Sequence, residues 1–298
     1  MSSTSAHPLN TTIDPATEVG PLALTVSDLE RSLAFYTQAI GLQVLARNAT
    51  TATLGAGGLP LLYLSEAAGA QPWPRGGRSY TGLYHFAILL PSRADLGRWL
   101  RHWIELGLGL PGQGDHNVSE ALYLDDPDGH GIEIYRDRPR SEWRWVNGKV
   151  QMGTGPVDVR GVIAEADREG LPFNGLPAGA KIGHMHLQVG DIPTAAHFYH
   201  DILGFDIVAE MPSALFVSAG GYHHHIGMNI WHSRGQGPAP DGFVRLQHFT
   251  IALPSKAARD EVLARLDAAG VPHSAVEGRV VVHDPWQNEI HLRVGSTG

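Results

Sequence analysis

The chain of 298 residues carries one pattern twice, 163 positions apart. The first copy runs Gly20-Pro21, Val26-Ser27-Asp28-Leu29, Phe35-Tyr36 and Gly41-Leu42. The second runs Gly183-His184, Val189-Gly190-Asp191-Ile192, Phe198-Tyr199 and Gly204-Phe205. The same offset relates His85-Phe86 to His248-Phe249, Leu90-Pro91-Ser92 to Leu253-Pro254-Ser255, and Gly107 to Gly270. Self-similarity at a fixed offset marks a duplicated structural unit, so it constrains the architecture before any residue is read for chemistry. The copies differ where chemistry could sit: Pro21, which offers no donor to a metal, stands where the second copy has His184.

Each copy divides again. In residues 19–66 the alternating Leu22-Ala23-Leu24-Thr25-Val26 reads as a strand. Asp28 then caps a helix whose apolar Leu29, Leu33, Tyr36 and Ile40 recur at helical spacing, and Gly41 ends it. Three short strands follow, at Gln43–Arg47, Thr50–Leu54 and Leu61–Leu64. Residues 84–135 repeat the order, with a strand over 84–90, a helix over 93–106 and a last strand over Gly131–Tyr135. Residues 183–232 and 246–294 repeat it twice more. The predicted fold is α+β, with four βαβββ modules paired into two domains, each an open mixed-sheet barrel. Consecutive modules are expected to pair, giving an N-terminal domain over 19–135 and a C-terminal, catalytic domain over 183–294. Between them, 136–182 reads as a connecting segment with one helix at Val157–Glu169; residues 1–18 read as a loose tail.

Composition narrows the function classes. A hydrophobic content of 43% with 17% charged residues is ordinary for a globular protein. A net charge of -8 without a long basic run argues against nucleic acid as a partner. The sequence has no apolar stretch of membrane-spanning length and no signal-peptide pattern at 1–18, so no membrane role is expected and the cytoplasm is the expected compartment. With no cysteine and 17 histidines, a metal here would take nitrogen and oxygen ligands.

His184 opens the first strand of the third module, His248 occupies the equivalent strand of the fourth, and Glu289 lies in the last strand. Two histidines and one carboxylate from three strands form a set that leaves coordination positions open, as in non-haem Fe(II) oxygenases. Strand alternation places His186 on the face of His184 and His291 on the face of Glu289, so either is a ligand or a pocket wall.

Four such modules resemble the vicinal oxygen chelate superfamily, which includes glyoxalases, bleomycin-resistance proteins and type I extradiol dioxygenases. The resemblance rests on Phe35-Tyr36 before Ile40-Gly41, on Phe198-Tyr199 before Leu203-Gly204, and on the Asp-Pro-Asp-Gly-x-Gly-x-Glu run from Asp126 to Glu133. The strand from Gly221 to Trp231 and the segment from Gly131 to Pro139 look like those of bacterial catechol 2,3-dioxygenase-like proteins. The resemblance implies an extradiol ring-cleaving enzyme that takes an aromatic diol and O2, with Fe(II), or Mn(II) in its place, on His184, His248 and Glu289. It also implies an acid/base histidine within His223-His224-His225, placed on His224. Val281 stands where the family has Tyr, and His273 is near a second family histidine; with His186 and His291 these are the expected substrate pocket. The first half keeps His85, Glu133, His116 and Tyr123 but lacks a third ligand at Pro21, so it reads as a degenerate site. Two rival readings are a metal-dependent glyoxalase-like isomerase or lyase, which would want a fourth ligand near Asn229, and a non-catalytic small-molecule binder. Association into a homo-oligomer is compatible with each.

Overall fold

The computed structural model describes residues 11–74 and 79–295. The four modules are present, each a strand, a helix and three strands. The first is β1 (Glu18–Val26), α1 (Leu29–Phe35), β2 (Gln43–Arg47), β3 (Thr51–Ala56) and β4 (Leu59–Glu66). The second is β5 (Gly82–Leu90), α2 (Arg93–Glu105), β6 (Gly112–Asp115), β7 (Ser119–Asp125) and β8 (Gly131–Asp137). The connecting segment holds a small ribbon, β9 (Trp145–Val146) and β10 (Lys149–Val150), and then α3 (Val159–Glu169). The third module is β11 (Lys181–Gln188), α4 (Ile192–Ala196), β12 (Asp206–Met211), β13 (Ala214–Ser218) and β14 (Ile226–Asn229). The fourth is β15 (Leu246–Leu253), α5 (Lys256–Ala268), β16 (His273–Val276), β17 (Arg279–His283) and β18 (Glu289–Val294).

The helix starts repeat as the sequence does. Asp28, Ser92, Asp191 and Ser255 each accept a hydrogen bond from the backbone N–H three residues on, which satisfies an otherwise orphaned donor of the first turn. α1 and α4 widen into π-helical turns at Tyr36–Ile40 and His197–Ile202. These turns carry the Tyr of each Phe-Tyr pair. Tyr36 donates its hydroxyl to Asp126 Oδ2 at 2.9 Å, and Tyr199 donates to Asp284 Oδ2 at 3.0 Å. The Phe-Tyr and Asp-Pro motifs are therefore partners, each tying one module to the turn before the last strand of the next.

The sheets are shared differently from the expected pairing. One sheet has the order β16-β17-β18-β15-β1-β4-β3-β2 and the other β12-β13-β14-β11-β5-β8-β7-β6. Modules one and four share the first sheet; modules two and three share the second. The seams are antiparallel, β1 with β15 and β5 with β11, and within each module the first and last strands run parallel. The expected consecutive pairing, 19–135 and 183–294, is thereby corrected. The physical reason is that every module leaves the same edge open: its first strand has one paired side and one free side, so the repeat itself does not specify a partner.

Strand alternation then separates core from site. Phe86 and Ile88 of β5, Ile132 and Ile134 of β8, and Met185 and Leu187 of β11 face one continuous apolar core, joined by Leu22 and Leu24 of β1 and by Phe249 and Ile251 of β15. The intervening residues, His85, Glu133, His184 and His186, occupy the other face. The N-terminal segment is not all tail: Ile13 is buried in the core, and its N–H donates to Gly204 O at 2.8 Å. Residues 1–10 lie outside the described residues. Among the described residues no helix is long and apolar enough to cross a membrane.

Candidate functional site

Three adjacent strands, β11, β5 and β8, bring His184, His85 and Glu133 together, with one donor atom from each within 4.8 Å of the others. His184 Nε2 lies 3.1 Å and His85 Nε2 3.0 Å from the same carboxylate oxygen, Glu133 Oε2. All three side chains are buried. His85 Nε2 has no properly oriented hydrogen-bond partner, although it is shut away from solvent. A buried, unsatisfied imidazole nitrogen costs free energy. A cation between the three donors would satisfy it, so the residues fit a divalent metal bound by two nitrogens and one oxygen. Burial alone would raise the Glu133 carboxyl pKa, but His184 and then His85 outweigh it and hold the group well below the usual carboxylate range. Burial, only partly opposed by Glu133, lowers the His85 pKa and keeps the imidazole neutral. An anionic carboxylate and a neutral imidazole are the forms that bind metals.

Two members of the cluster, His85 and Glu133, line a cavity of about 760 Å³. His224 lines it, its ring 4.2 Å from that of His184. The histidine run precedes β14 rather than lying within it, so its placement comes from bends and not from strand alternation. His223 Nε2 is 2.9 Å from Asp137 Oδ1, and His223 Nδ1 is 2.9 Å from His224 Nδ1. The carboxylate accepts from Nε2–H of His223, which leaves His223 Nδ1 to accept from His224 Nδ1–H. The lone pair of His224 is then on Nε2. Burial, followed by His184 and His223, pushes the His224 pKa well down, so its ring is neutral. His225 turns elsewhere: its Nδ1 accepts from Ala219 N–H at 3.1 Å, and burial lowers its pKa to about 3.

The opposite wall holds a second fixed pair. His116 Nδ1–H donates to Gly153 O at 2.8 Å, which makes Nε2 the acceptor for the Tyr123 hydroxyl at 2.7 Å. Burial and then Glu133 raise the Tyr123 pKa, so the phenol stays protonated. His186 also lines the cavity; its Nε2 accepts from Asn229 Nδ2 at 3.0 Å, while Asn229 Oδ1 accepts from Trp231 N–H. Asn229 is thus engaged by His186 and Trp231 and does not complete a four-donor set with His85, Glu133 and His184.

The expected residues divide between the two sheets. His184, His186 and His224 meet His85, Glu133, His116 and Tyr123 around one cavity, so the supposed degenerate site is half of it. His248 and Glu289 are not brought to His184. They lie in the other sheet and cluster with His291. Val281 and His273, expected beside the substrate, are on β17 and β16 of that other sheet. The separation follows from the module pairing: β11, which carries His184, pairs with β5 of the second module and not with β15 of the module that follows it. Sequence reasoning missed Asp137 and His223, which orient His224, and the apolar wall from Tyr84, Phe216, Met152, Met211 and Trp231. The Asp126 motif was the available signal, because it places Glu133 on the second module's last strand.

In the second cluster, His291 Nε2 is 2.6 Å from Glu289 Oε1, and the His248 and His291 rings stack with centroids 3.8 Å apart. Burial, then His291, lowers the His248 pKa to about 4.

The family model described as the Glyoxalase/Bleomycin resistance protein/Dioxygenase superfamily matches residues 18–134 and 181–292. The chain is 49% identical over 279 residues to catechol-2,3-dioxygenase of Bacillus subtilis (strain 168), covering 92% of this chain and 96% of that one. It is 31% identical over 119 residues to metallothiol transferase FosB of Lysinibacillus sphaericus (strain C3-41), covering 39% of this chain and 80% of that one. Among solved structures, one from Bacillus subtilis subsp. subtilis str. 168, provisionally described as a dioxygenase, aligns with a TM-score of 0.63 at 14% identity. That alignment covers 94% of this chain and 86% of the other. Glyoxalase I from Zea mays aligns with a TM-score of 0.53 at 14% identity, covering 93% and 92%. At these identities the structural likeness speaks to the fold alone.

Proposed function

Because the chain belongs to the Glyoxalase/Bleomycin resistance protein/Dioxygenase superfamily, we propose that it is an extradiol-type dioxygenase that opens an aromatic diol with O2 at a divalent metal held by His85, Glu133 and His184. The observation that carries this reading is the convergence of those three donors beside a cavity that also presents a neutral histidine and a protonated tyrosine. The 49% identical catechol-2,3-dioxygenase supports it. Fe(II) is the proposed ion, with Mn(II) as the alternative. Such an ion supplies the Lewis acidity and the redox chemistry that bring a diol and O2 to react.

The chain's own residues do the rest. His224, held in one tautomer by His223 and Asp137, keeps its Nε2 lone pair free to take a proton from a diol hydroxyl and return it when the ring opens. Tyr123, held by His116, offers a fixed hydroxyl beside His85. His186, held by Asn229, closes the side next to Trp231. With one carboxylate and two neutral imidazoles, a bound dication keeps a net positive charge, which suits a deprotonated diol.

The cavity also selects the substituent. Its wall is largely apolar, and among the described lining residues none is Lys or Arg, whereas Glu133 and Asp125 are acidic. A carboxylate on the ring would enter without a cationic partner and lose its hydration. The proposed substrate is therefore a neutral catechol with an apolar substituent. The test is to load metal-free protein anaerobically with Fe(II), then measure O2 uptake and ring-opened product for catechol, a 4-alkylcatechol and 3,4-dihydroxyphenylacetate. Neutral diols should be cleaved with one O2 each, and the alkylcatechol should exceed the carboxylated diol in kcat/KM. If no diol consumes O2, the dioxygenase reading fails. If the carboxylated diol is preferred, only the substituent reading fails.

A further inference from the structure

We propose that the other sheet carries a second divalent-metal site, formed by His248, His291 and Glu289 on β15 and β18. One donor atom from each of these residues lies within 4.8 Å of the others. The site lies outside the cavity described above and goes beyond the proposed ring cleavage.

The repeat explains how it arose. Asp126 N–H donates to His130 O and Asp284 N–H donates to Asn288 O, and Asp126 and Asp284 accept from Tyr36 and Tyr199 in the same way. The two Asp-Pro turns are therefore equivalent, at an offset of 284 − 126 = 158. That offset sets His291 against Glu133 and Glu289 against Gly131, while His248 matches His85. The fourth module thus presents imidazoles at both positions where the second presents an imidazole and a carboxylate. Its carboxylate is displaced to the strand level directly opposite His248. Pro21 removes the donor that the neighbouring module supplies in the other sheet. All three donors consequently come from two adjacent strands of one module.

The geometry leaves donor capacity unused. Among the described residues the His248 ring contacts His291 and Tyr63 and makes no hydrogen bond. Glu289 is shared by His291 at 2.6 Å and by His283 at 3.5 Å, the latter from β17 at the rim. Arg279 stands near enough to act on both imidazoles, but its guanidinium is 3.5 Å from Glu277, which offsets part of that charge. Two imidazoles and a carboxylate, with the carboxylate side chain 34% exposed, suit a borderline dication such as Zn(II) or Co(II) that keeps water in its open positions.

Metal-stripped protein titrated with Zn(II) in a calorimeter, and with Co(II) by visible absorbance, reads the sites directly. Wild type should bind two ions per chain. Glu133→Gln should bind one, and so should His248→Ala and the milder Glu289→Gln, each checked for an unchanged circular dichroism spectrum. His248→Ala combined with Glu133→Gln should bind none. A wild-type stoichiometry of one, lost in Glu133→Gln and unaltered in both His248→Ala and Glu289→Gln, would overturn the second site. If instead the single ion is lost in His248→Ala and kept in Glu133→Gln, the second site stands and the placement of the catalytic metal fails.

Discussion

Replacing His224 with Phe should leave the catalytic metal in place and slow turnover about 10²–10⁴-fold, the range for a lost proton-transfer group. Metal analysis beside steady-state rates checks this; loss of metal in His224→Phe would show that the ring supports the site instead of moving protons. Asp137→Asn should cost less, about 10–100-fold, because it disturbs the tautomer of His223 and reaches His224 only through that ring. His225→Phe should be milder still in turnover, since His225 bonds to Ala219 away from the cavity. His85→Ala should remove the catalytic metal and the activity. These outcomes separate residues proposed to hold the metal from residues proposed to face the diol.

Strand β11 holds His184 in place through a close approach at Gly183. A Cβ built there would come within 1.8 Å of the Tyr135 hydroxyl, itself 2.7 Å from that of Tyr222. Gly183→Ala should therefore push Tyr135 aside and weaken metal binding, read as a raised Kd in the same titration; an unchanged Kd would mean that β11 yields without moving His184. On β7, Glu120 is buried and accepts from Arg93 Nε at 2.8 Å and from Arg136 Nε at 2.7 Å, with Arg138 near. Burial raises its pKa, but these guanidinium groups outweigh it and the net shift is downward. A depressed carboxylate pKa means that the stabilisation is present above the unfolded value, about pH 4.3, and is lost as the pH falls through the lower folded value. Thermal melts should show Tm declining below about pH 4 in wild type. Glu120→Gln should lower stability at neutral pH by about 3 kcal/mol, because it strands the buried Arg136, and should flatten that acid decline. An acid decline that persists unchanged in the variant would assign it to other carboxylates.

The whole molecule should unfold and assemble as a unit. Each sheet takes strands from both halves of the chain, and the apolar core runs between the two sheets. Residues 1–150 expressed alone would leave the seam edges of β1 and β5 unpaired, a template for aggregation. That fragment should give no cooperative melt, and co-expression with residues 151–298 should restore one. A soluble 1–150 fragment with its own sharp transition would mean that consecutive modules can pair after all.

The sequence alone determined the modules and the Asp28 helix cap, because each depends on residues close in the chain; it showed the Phe-Tyr and Asp-Pro motifs, but their contacts join residues 90 and 85 positions apart and came only with the structure. It also placed His184, His85, Glu133 and His224 at positions with the right chemistry. Which of them meet was decided only by the tertiary structure. Every module offers the same free strand edge, with the same hydrogen-bonding groups, so the repeat is silent about partners; packing of the common core and the paths of the connections choose one. The 163-residue offset was silent about the last strand for a related reason. It holds through the first strand and helix of the fourth module, but the Asp-Pro turns are 158 apart, so it could not show that His291, and not the last-strand carboxylate Glu289, is the counterpart of Glu133. An offset read from one end of a module does not carry through loops of different length, whereas the hydrogen bonds of the Asp126 and Asp284 turns restore the correct register.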